Sequence, residues 1–363
     1  MRIGFDAKRY FYNNSGLGNY SRWLVNALAK NHPNFQIYLF DPYPQGHKKH
    51  IINPDFSNIT IVYPKSKSPF YRSFGIQKNI KAYNLDIFHG LSNEIPFFFR
   101  KPFHCKFVCT IHDVIFKQFP EYYPWLDRLI YDFKTKWALR KSDLVIATSQ
   151  TTKKEINQFY PYLAKNIEVV YQTINPEFFE TKADFSGNHL VYVGTYNKRK
   201  NHATLIEAFK IVAKQTPYNL VLVGTSGSEL PRLKQLVNSY GLVKRVIFKE
   251  NASTSELHNL LLTAQGLIYP SFHEGFGIPL VEAAAMGLPI AVSNIPIFKE
   301  FQLENAVYFH PNNAIEMAEA LVAISQAAMR FIVKTEFEQF SQQFMANQTT
   351  ENLVQSYQKA LLN

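Results

Sequence analysis

Short apolar runs rich in β-branched and aromatic residues alternate with longer stretches of helical spacing, and this pattern constrains the fold more than any other feature of the chain. The runs at Met1–Phe5, Gln36–Phe40, Ile59–Val62, Ile87–His89, Phe107–Ile111 and Leu144–Thr148 form one series. The alternation begins afresh with Leu190–Gly194, Asn219–Gly224, Arg245–Phe248, Gly266–Tyr269 and Pro289–Val292. Strands separated by helices predict parallel sheets, so the fold class is α/β and the two series predict two such units. A chain of 363 residues also exceeds what one core usually supports. Turn formers gather at Asn175-Pro176 and from Thr181 to Asn188, which predicts a linker over 176–188. The expected domains are therefore 1–176 and 188–340, followed by a tail over 341–363. Within that tail Leu353, Val354, Tyr357, Ala360 and Leu361 fall at helical spacing, predicting a helix over Thr349–Leu362.

Hydrophobic residues at 46% and charged residues at 18% describe a globular chain with a large core. The formal charge of +11 points to an anionic partner: nucleic acid, an anionic lipid surface or a phosphorylated substrate. Cys105 and Cys109 lie on one face of a strand-like segment without the further ligands of a zinc site, which predicts reduced thiols in a cytoplasmic protein. The start Met1-Arg-Ile-Gly-Phe-Asp6 does not have the pattern of a secretory signal. No apolar run approaches 18 residues, and Ile95-Pro-Phe-Phe-Phe99 is cut short by Arg100-Lys101. Any membrane contact is expected to be peripheral, at an inner membrane face.

The most informative motif is Pro270-Ser-Phe-His-Glu-Gly-Phe-Gly-Ile-Pro-Leu-Val-Glu282, running on to Gly287. A strand ends at Tyr269, Gly275 and Gly277 make a tight turn, and Pro279 suits the first turn of a helix. A helix start reached through a glycine turn presents backbone N–H groups and a partial positive charge, which suits a diphosphate. Glu274 and Glu282 flank the turn, and a carboxylate accepts two hydroxyl hydrogen bonds at once, as vicinal diols of a sugar or ribose offer. The bland alternative is a solvated Glu274 and a Glu282 that complements the helix dipole. Upstream, Val191-Tyr-Val-Gly194 leads into Thr195-Tyr-Asn-Lys-Arg199-Lys200-Asn-His202, which sets Arg199 and Lys200 at a strand-to-helix turn. Cations there neutralise a leaving diphosphate directly, or form only a solvated basic turn.

The run from Glu274 to Glu282 resembles the E-x7-E motif of retaining GT-B glycosyltransferases, in particular glycosyltransferase family 4. The resemblance implies that Glu274 meets the donor hexose, that Glu282 meets the nucleotide ribose, and that the backbone of Gly275, Phe276 and Gly277 meets sugar and phosphates. It implies a diphosphate clamp at Arg199 and Lys200, although many members carry Arg where this chain has Thr195. The Gly-Thr variant looks more like a bacterial subgroup that includes mannosyltransferases, so mannose from a guanosine donor is the expectation, within the wider class of GDP- or UDP-hexoses.

Ser15-Gly16-Leu17-Gly18-Asn-Tyr20 follows the first strand and, by resemblance, is the glycine loop bordering diphosphate and acceptor. Thr110-Ile-His112-Asp113 ends another strand, where α/β folds place ligand-facing residues. His112 is suited to a sugar hydroxyl and Asp113 to orienting its neighbours or acting on the acceptor, or the pair simply caps a loop. Members of the family carry a His-Asp at this place beside the transferred sugar. Phe248–Asn251 and Ser255-Glu256 resemble the base-binding neighbourhood, while Ser253-Thr-Ser-Glu256 has the spacing of a capping box. The basic and aromatic stretch Tyr63–Arg72, with Lys78 and Lys81 after it, suits anionic lipid, a phosphorylated acceptor or plain solvent.

These motifs occur in the family's order along nearly the whole chain. The fold implied is GT-B: two Rossmann-like domains facing a cleft, with acceptor on the N-terminal side, donor on the C-terminal side, and the last helix crossing back to the N-terminal domain. The function implied is retaining transfer of a hexose from a nucleotide-diphosphate sugar to a glycan or lipid-linked acceptor in polysaccharide or glycolipid synthesis. No cofactor is expected, and with no D-x-D in the chain the reaction is expected to need no metal. Three rival readings are a dehydrogenase, for which the dinucleotide fingerprint is incomplete, a basic nucleic-acid-binding protein, for which no recognition motif is present, and a GT-B enzyme that hydrolyses or epimerises its sugar nucleotide.

Overall fold

The structure is a computed structural model, and it describes all residues except 14, 46–55, 69, 98–103, 165 and 363. The chain divides into two compact units, one made of Met1–Thr173 with Phe344–Asn363 and the other of Ile174–Gln343. The crossing point lies at Thr173–Ile174, a few residues ahead of the expected linker. The stretch 176–188 packs within the second unit: Phe178 is buried, Thr181 is hydrogen-bonded to His258, and Lys182 donates to the Ala285 carbonyl.

The first unit holds a seven-stranded sheet built from β1 (Arg2–Asp6), β2 (Gln36–Phe40), β3 (Ile59–Val62), β4 (Ile87–Gly90), β5 (Lys106–Ile111), β6 (Leu144–Ala147) and β7 (Ile167–Val169). Its order is β3-β2-β1-β4-β5-β6-β7 with every pair parallel. The second unit holds β8 (His189–Val193), β9 (Asn219–Gly224), β10 (Val246–Glu250), β11 (Leu267–Tyr269), β12 (Ile290–Ser293) and β13 (Val307–Phe309) in the order β10-β9-β8-β11-β12-β13, again all parallel. Strand order reverses between β1 and β4 and between β8 and β11. At such switch points the connecting loops diverge and open a crevice at the carboxyl ends of the strands. The sequence pattern does not reveal β7 and β13, because each is a three-residue edge strand too short to show a period.

The period of two along each central strand sends neighbouring side chains to opposite faces. In the first unit Ile3, Phe5, Ile37, Leu39, Ile87 and Val108 face one core. Phe40, Phe88, Phe107, Cys109 and Val145 face the other. Both cysteines are free and buried in that second core, so they share a face. The helix Gly16–Asn31 covers the first core with Tyr20, Leu24, Val25, Leu28 and Ala29, an apolar stripe at helical spacing. Beside it lies the terminal helix Ala346–Leu362, which buries Leu353, Val354, Tyr357 and Ala360 against the same core.

A buried polar chain fastens that terminal helix. Tyr357 Oη is hydrogen-bonded to His89 Nδ1 at 2.6 Å, His89 Nε2 to Thr110 Oγ1 at 2.8 Å, and Thr110 Oγ1 to Tyr20 Oη at 3.0 Å. Burial, aided by His112, pushes the His89 imidazole down to about 3, so it is neutral and matches one donor to one acceptor. Tyr357→Phe leaves His89 Nδ1 buried without a partner and should lower stability by about 1–3 kcal/mol in urea unfolding. An unchanged midpoint would show that the chain does not fasten the helix.

Candidate active site

The motifs of the second unit converge at its β8/β11 switch point. After β8 the chain forms a single tight turn at Lys198–Lys200, capped by the Asn197 side chain, which accepts from Lys200 N at 3.2 Å. Asn201 follows in the left-handed region at φ 56°. Its buried amide donates to the carbonyls of Pro270 at 3.0 Å and Pro311 at 2.7 Å, and Phe272 N donates to the Arg199 carbonyl at 3.0 Å. Backbone and Asn201 thus stitch the loop after β8 to the loop after β11, before any ligand arrives.

Glu274 stands where those loops meet. Its Oε1 accepts from Lys200 Nζ at 2.5 Å and its Oε2 from Arg199 Nη1 at 3.0 Å. Arg199 Nη1 also donates to the His273 carbonyl, and Lys200 Nζ lies 5.4 Å from the centre of the Tyr269 ring. Arg199 and Lys200, expected to face a diphosphate, are therefore engaged with Glu274 in this structure. Gly277 carries the turn at φ 103°, a conformation open to glycine, and a Cβ there would meet Phe298 at 2.8 Å. The helix Ile278–Ala285 starts directly after it, with Pro279 in its first turn and Glu282 buried one turn further on. Phe276 turns its ring into the core against Phe301, so its share in the loop is its backbone.

In the first unit, Gly16, Leu17 and Gly18 form the first turn of the helix Gly16–Asn31 rather than a loop. The glycine requirement lies at Gly18, where a Cβ would sit 1.9 Å from the Asn13 carbonyl oxygen. Leu17, His112 and Asp113 come together, with Arg9, Asn93 and Lys134, around a cavity of about 240 Å³. Both ring nitrogens of His112 have protein partners: Nε2 the Leu91 carbonyl at 2.8 Å, and Nδ1 the Gln172 amide at 3.3 Å. Burial lowers its pKa and keeps it neutral. Asp113 accepts from Ile115 N at 3.2 Å, capping a short turn.

The comparisons with known proteins divide the chain in the same sense. The profile described as Glycosyltransferase Family 4 matches residues 14–178, and that described as Glycosyl transferases group 1 matches residues 174–328. The chain belongs to this glycosyltransferase family. An O-antigen chain mannosyltransferase of Salmonella typhimurium, RfbU, is 32% identical over 219 residues, covering 60% of each chain. An O-antigen chain mannosyltransferase B of Escherichia coli is 24% identical over 98% of this chain and 99% of its own. The crystal structure of Anabaena HepE in complex with UDP and glucose superposes with a TM-score of 0.73 at 18% identity, over 99% of this chain and all of that one. That likeness shows the GT-B fold: two parallel-sheet, Rossmann-like α/β units.

The glycosyltransferase holds its two motif carboxylates in opposite states. Burial alone would raise the Glu274 pKa, but Lys200 and Arg199 outweigh it and bring it to about 2. Glu282 is as deeply buried, its side chain forms no hydrogen bond or ion pair among the described residues, and burial alone pushes it up to about 8. Ser253 and Glu256 form a complete capping box, so Glu256 serves its helix.

Sequence reasoning missed two parts of the glycosyltransferase. Asn201, the stitch between the loops after β8 and β11, hides in a polar run where only a left-handed turn signal could have marked it. Glu94 was also missed: it accepts from Arg72 and from Lys134 at 2.7 Å, while Arg72 also pairs with Asp6 at 2.6 Å. This cluster walls a second cavity of about 310 Å³. Its signal was position, since Asp6 and Glu94 lie at or just past the ends of the switch-point strands β1 and β4.

Proposed function

We propose that the chain is a retaining, metal-independent hexosyltransferase that moves mannose from a nucleoside-diphosphate sugar to a glycan or lipid-linked acceptor of O-antigen type. The observation that carries the reading is Glu274, buried yet ionised between Arg199 and Lys200 at the foot of a helix start. A buried carboxylate with two cations suits hydroxyls of a sugar and, beside it, a dianionic diphosphate. Mannose is favoured by the two O-antigen relatives, whose names state that activity. In the reaction the acceptor hydroxyl attacks the anomeric carbon from the face the diphosphate leaves. The carbon–oxygen bond to phosphate breaks as the new glycosidic bond forms, and the departing phosphate oxygen takes the acceptor proton. Arg199, Lys200 and the amides at Gly275–Gly277 offset the charge gathering on the diphosphate, the task a metal performs in other sugar-nucleotide enzymes. Glu274 positions the sugar.

The test is a thermal-shift panel of GDP, UDP, ADP and their hexose conjugates in EDTA, on the parent protein and Lys200→Ala, because a ligand of the native state raises the midpoint. One nucleotide should stabilise the parent by several degrees and the variant little, and product analysis should show glycoside only when acceptor is present. Free sugar released at full rate without acceptor would sink the transferase reading, as would the absence of any shift at millimolar nucleotide.

A further inference from the structure

His112 sits where the carboxyl ends of four strands meet. It follows β5 directly, and its N–H donates at 3.0 Å to Asn93 Oδ1 from the loop after β4. Its carbonyl accepts from Thr148 Oγ1 at 3.0 Å and Thr152 Oγ1 at 3.1 Å, both beyond the end of β6. Asn93, in the left-handed region at φ 54°, also donates its amide to the Asp113 carbonyl at 2.9 Å and its backbone N–H to the Thr110 carbonyl at 2.8 Å. The Tyr20 and His112 rings stand at 89° to each other, 4.7 Å between centres. The fourth strand is β7, and just beyond its end Gln172 turns its side-chain amide to His112 Nδ1.

Hydrogen-bond chemistry assigns the protons in this arrangement. The Leu91 carbonyl, 2.8 Å from His112 Nε2, can only accept, so Nε2 carries the ring proton. Burial lowers the ring's pKa, opposed by the Leu91 carbonyl and Asp113 and aided by Arg9, so the ring is neutral and Nδ1 offers a lone pair. Gln172 therefore presents its NH2 group, since turning the amide over would set its oxygen against that lone pair. Both side chains are buried, Gln172 at 4% and His112 at 7% exposure, so bulk water is not at hand to replace either partner. The ring is left without a free nitrogen to take a proton from a hydroxyl. Its rotation would also release Leu91, and with it the neighbouring Ser92, Asn93 and Glu94 that line the cavity beside His112 and Asp113.

We propose that Gln172 is a positioning residue for the transfer: it fixes His112 as the Nε2–H tautomer, which ties the loop after β4 to His112-Asp113 and withholds the ring from proton exchange. The effect on turnover rests on the transfer proposed above; the tautomer does not. The experiment is nitrogen NMR of the full chain carrying ring-labelled histidine, for the parent, Gln172→Glu and Gln172→Met, with His112→Gln marking the His112 signals. In the parent Nε2 should be protonated and Nδ1 not, without titration of this ring between about pH 5 and 8. Gln172→Glu replaces the donor by an anionic acceptor, so both ring nitrogens should be protonated near neutral pH. The other titratable groups around the ring, Asp113, Arg9, Tyr20 and His89, stay as they are, so the change belongs to position 172. In both variants kcat should fall about 10- to 100-fold, the scale of a small misplacement at a reacting centre, and in Gln172→Glu it should gain a pH dependence that follows the ring's titration. The nucleotide-induced thermal shift should be kept, since Arg199, Lys200 and Glu282 lie in the second unit. A side chain that only filled space would lower the melting midpoint and move neither the ring signals nor the pH profile. A parent ring protonated on Nδ1 overturns the proposal, as do parental kcat and pH profile in both folded variants. A parent that forms no glycoside removes the transfer reading, and the ring signals alone then decide for or against Gln172.

Discussion

Glu274→Gln should lower turnover by about a thousandfold while the protein remains folded, the scale expected when a preorganised charge at a reacting centre is removed. Glutamine keeps the shape but removes the negative charge that Arg199 and Lys200, both mostly buried, face at this position. Removing one partner of a buried pair costs more than the pair itself contributes, so the melting midpoint should drop by the equivalent of about 3–5 kcal/mol. The pH dependence separates the two effects. The Glu274 pKa lies below its ordinary value, so its stabilisation is present above the usual carboxylate range and is lost as pH falls toward about 2. Parent and variant should therefore converge in acid and differ most near neutrality. The measurement is kcat/KM with circular dichroism and thermal melts at each pH. Parental turnover in the folded variant would remove Glu274 from the site.

Glu282→Gln should do the opposite to stability. The Glu282 pKa is raised from its ordinary value to about 8, so the folded chain holds a proton that the unfolded chain has released. The stabilisation this provides is complete below the usual carboxylate range and is lost as pH rises through about 8. Glutamine carries no such proton, so the variant should match the parent near pH 5 and exceed it by about 2 kcal/mol at pH 9, discounted for local relaxation. Nucleotide binding gives the functional half. A ribose diol donating two hydrogen bonds favours the ionised carboxylate, so binding at neutral pH should release a proton in the parent and none in the variant. Calorimetry in buffers of different ionisation enthalpy reads this directly. Affinity in the variant should fall about 10- to 100-fold, since a hydrogen bond to a charged group is worth more than one to an amide. A binding enthalpy independent of buffer in the parent would place Glu282 away from the ribose.

The switch-point site of the second unit is thus built on contrast. Two carboxylates eight positions apart leave one chain segment for different environments, one between cations and one in an apolar helix face. Two cations hold the first ionised, and burial holds the second protonated.

Much of this protein was legible in its residues because the physics involved is local. Strands such as Gln36–Phe40 and Asn219–Gly224 lie in the structure on the apolar runs that predict them, since an inner strand covered on both faces is apolar along most of its length. The turn at Gly277 and the first helical turn at Pro279 are backbone requirements written into residue type. Order along the chain was enough to identify the family. Tertiary structure alone decided the rest, because those features depend on groups distant in sequence. That Arg199 and Lys200 meet Glu274, that Asn201 stitches two loops, that Glu94 lies between Arg72 and Lys134, and that both nitrogens of His112 are spoken for all follow from strand order. Placing β8 beside β11 brings segments dozens of residues apart to one crevice in the second unit, and placing β1 beside β4 does the same within the first. Burial then sets the protonation of Glu274 and Glu282, which no spacing encodes. Nor does spacing reveal that Trp125, Leu129 and Phe133, on the helix Trp125–Lys141, face outward: the same periodicity describes a helix face turned to the core, and only the fold says which way it points.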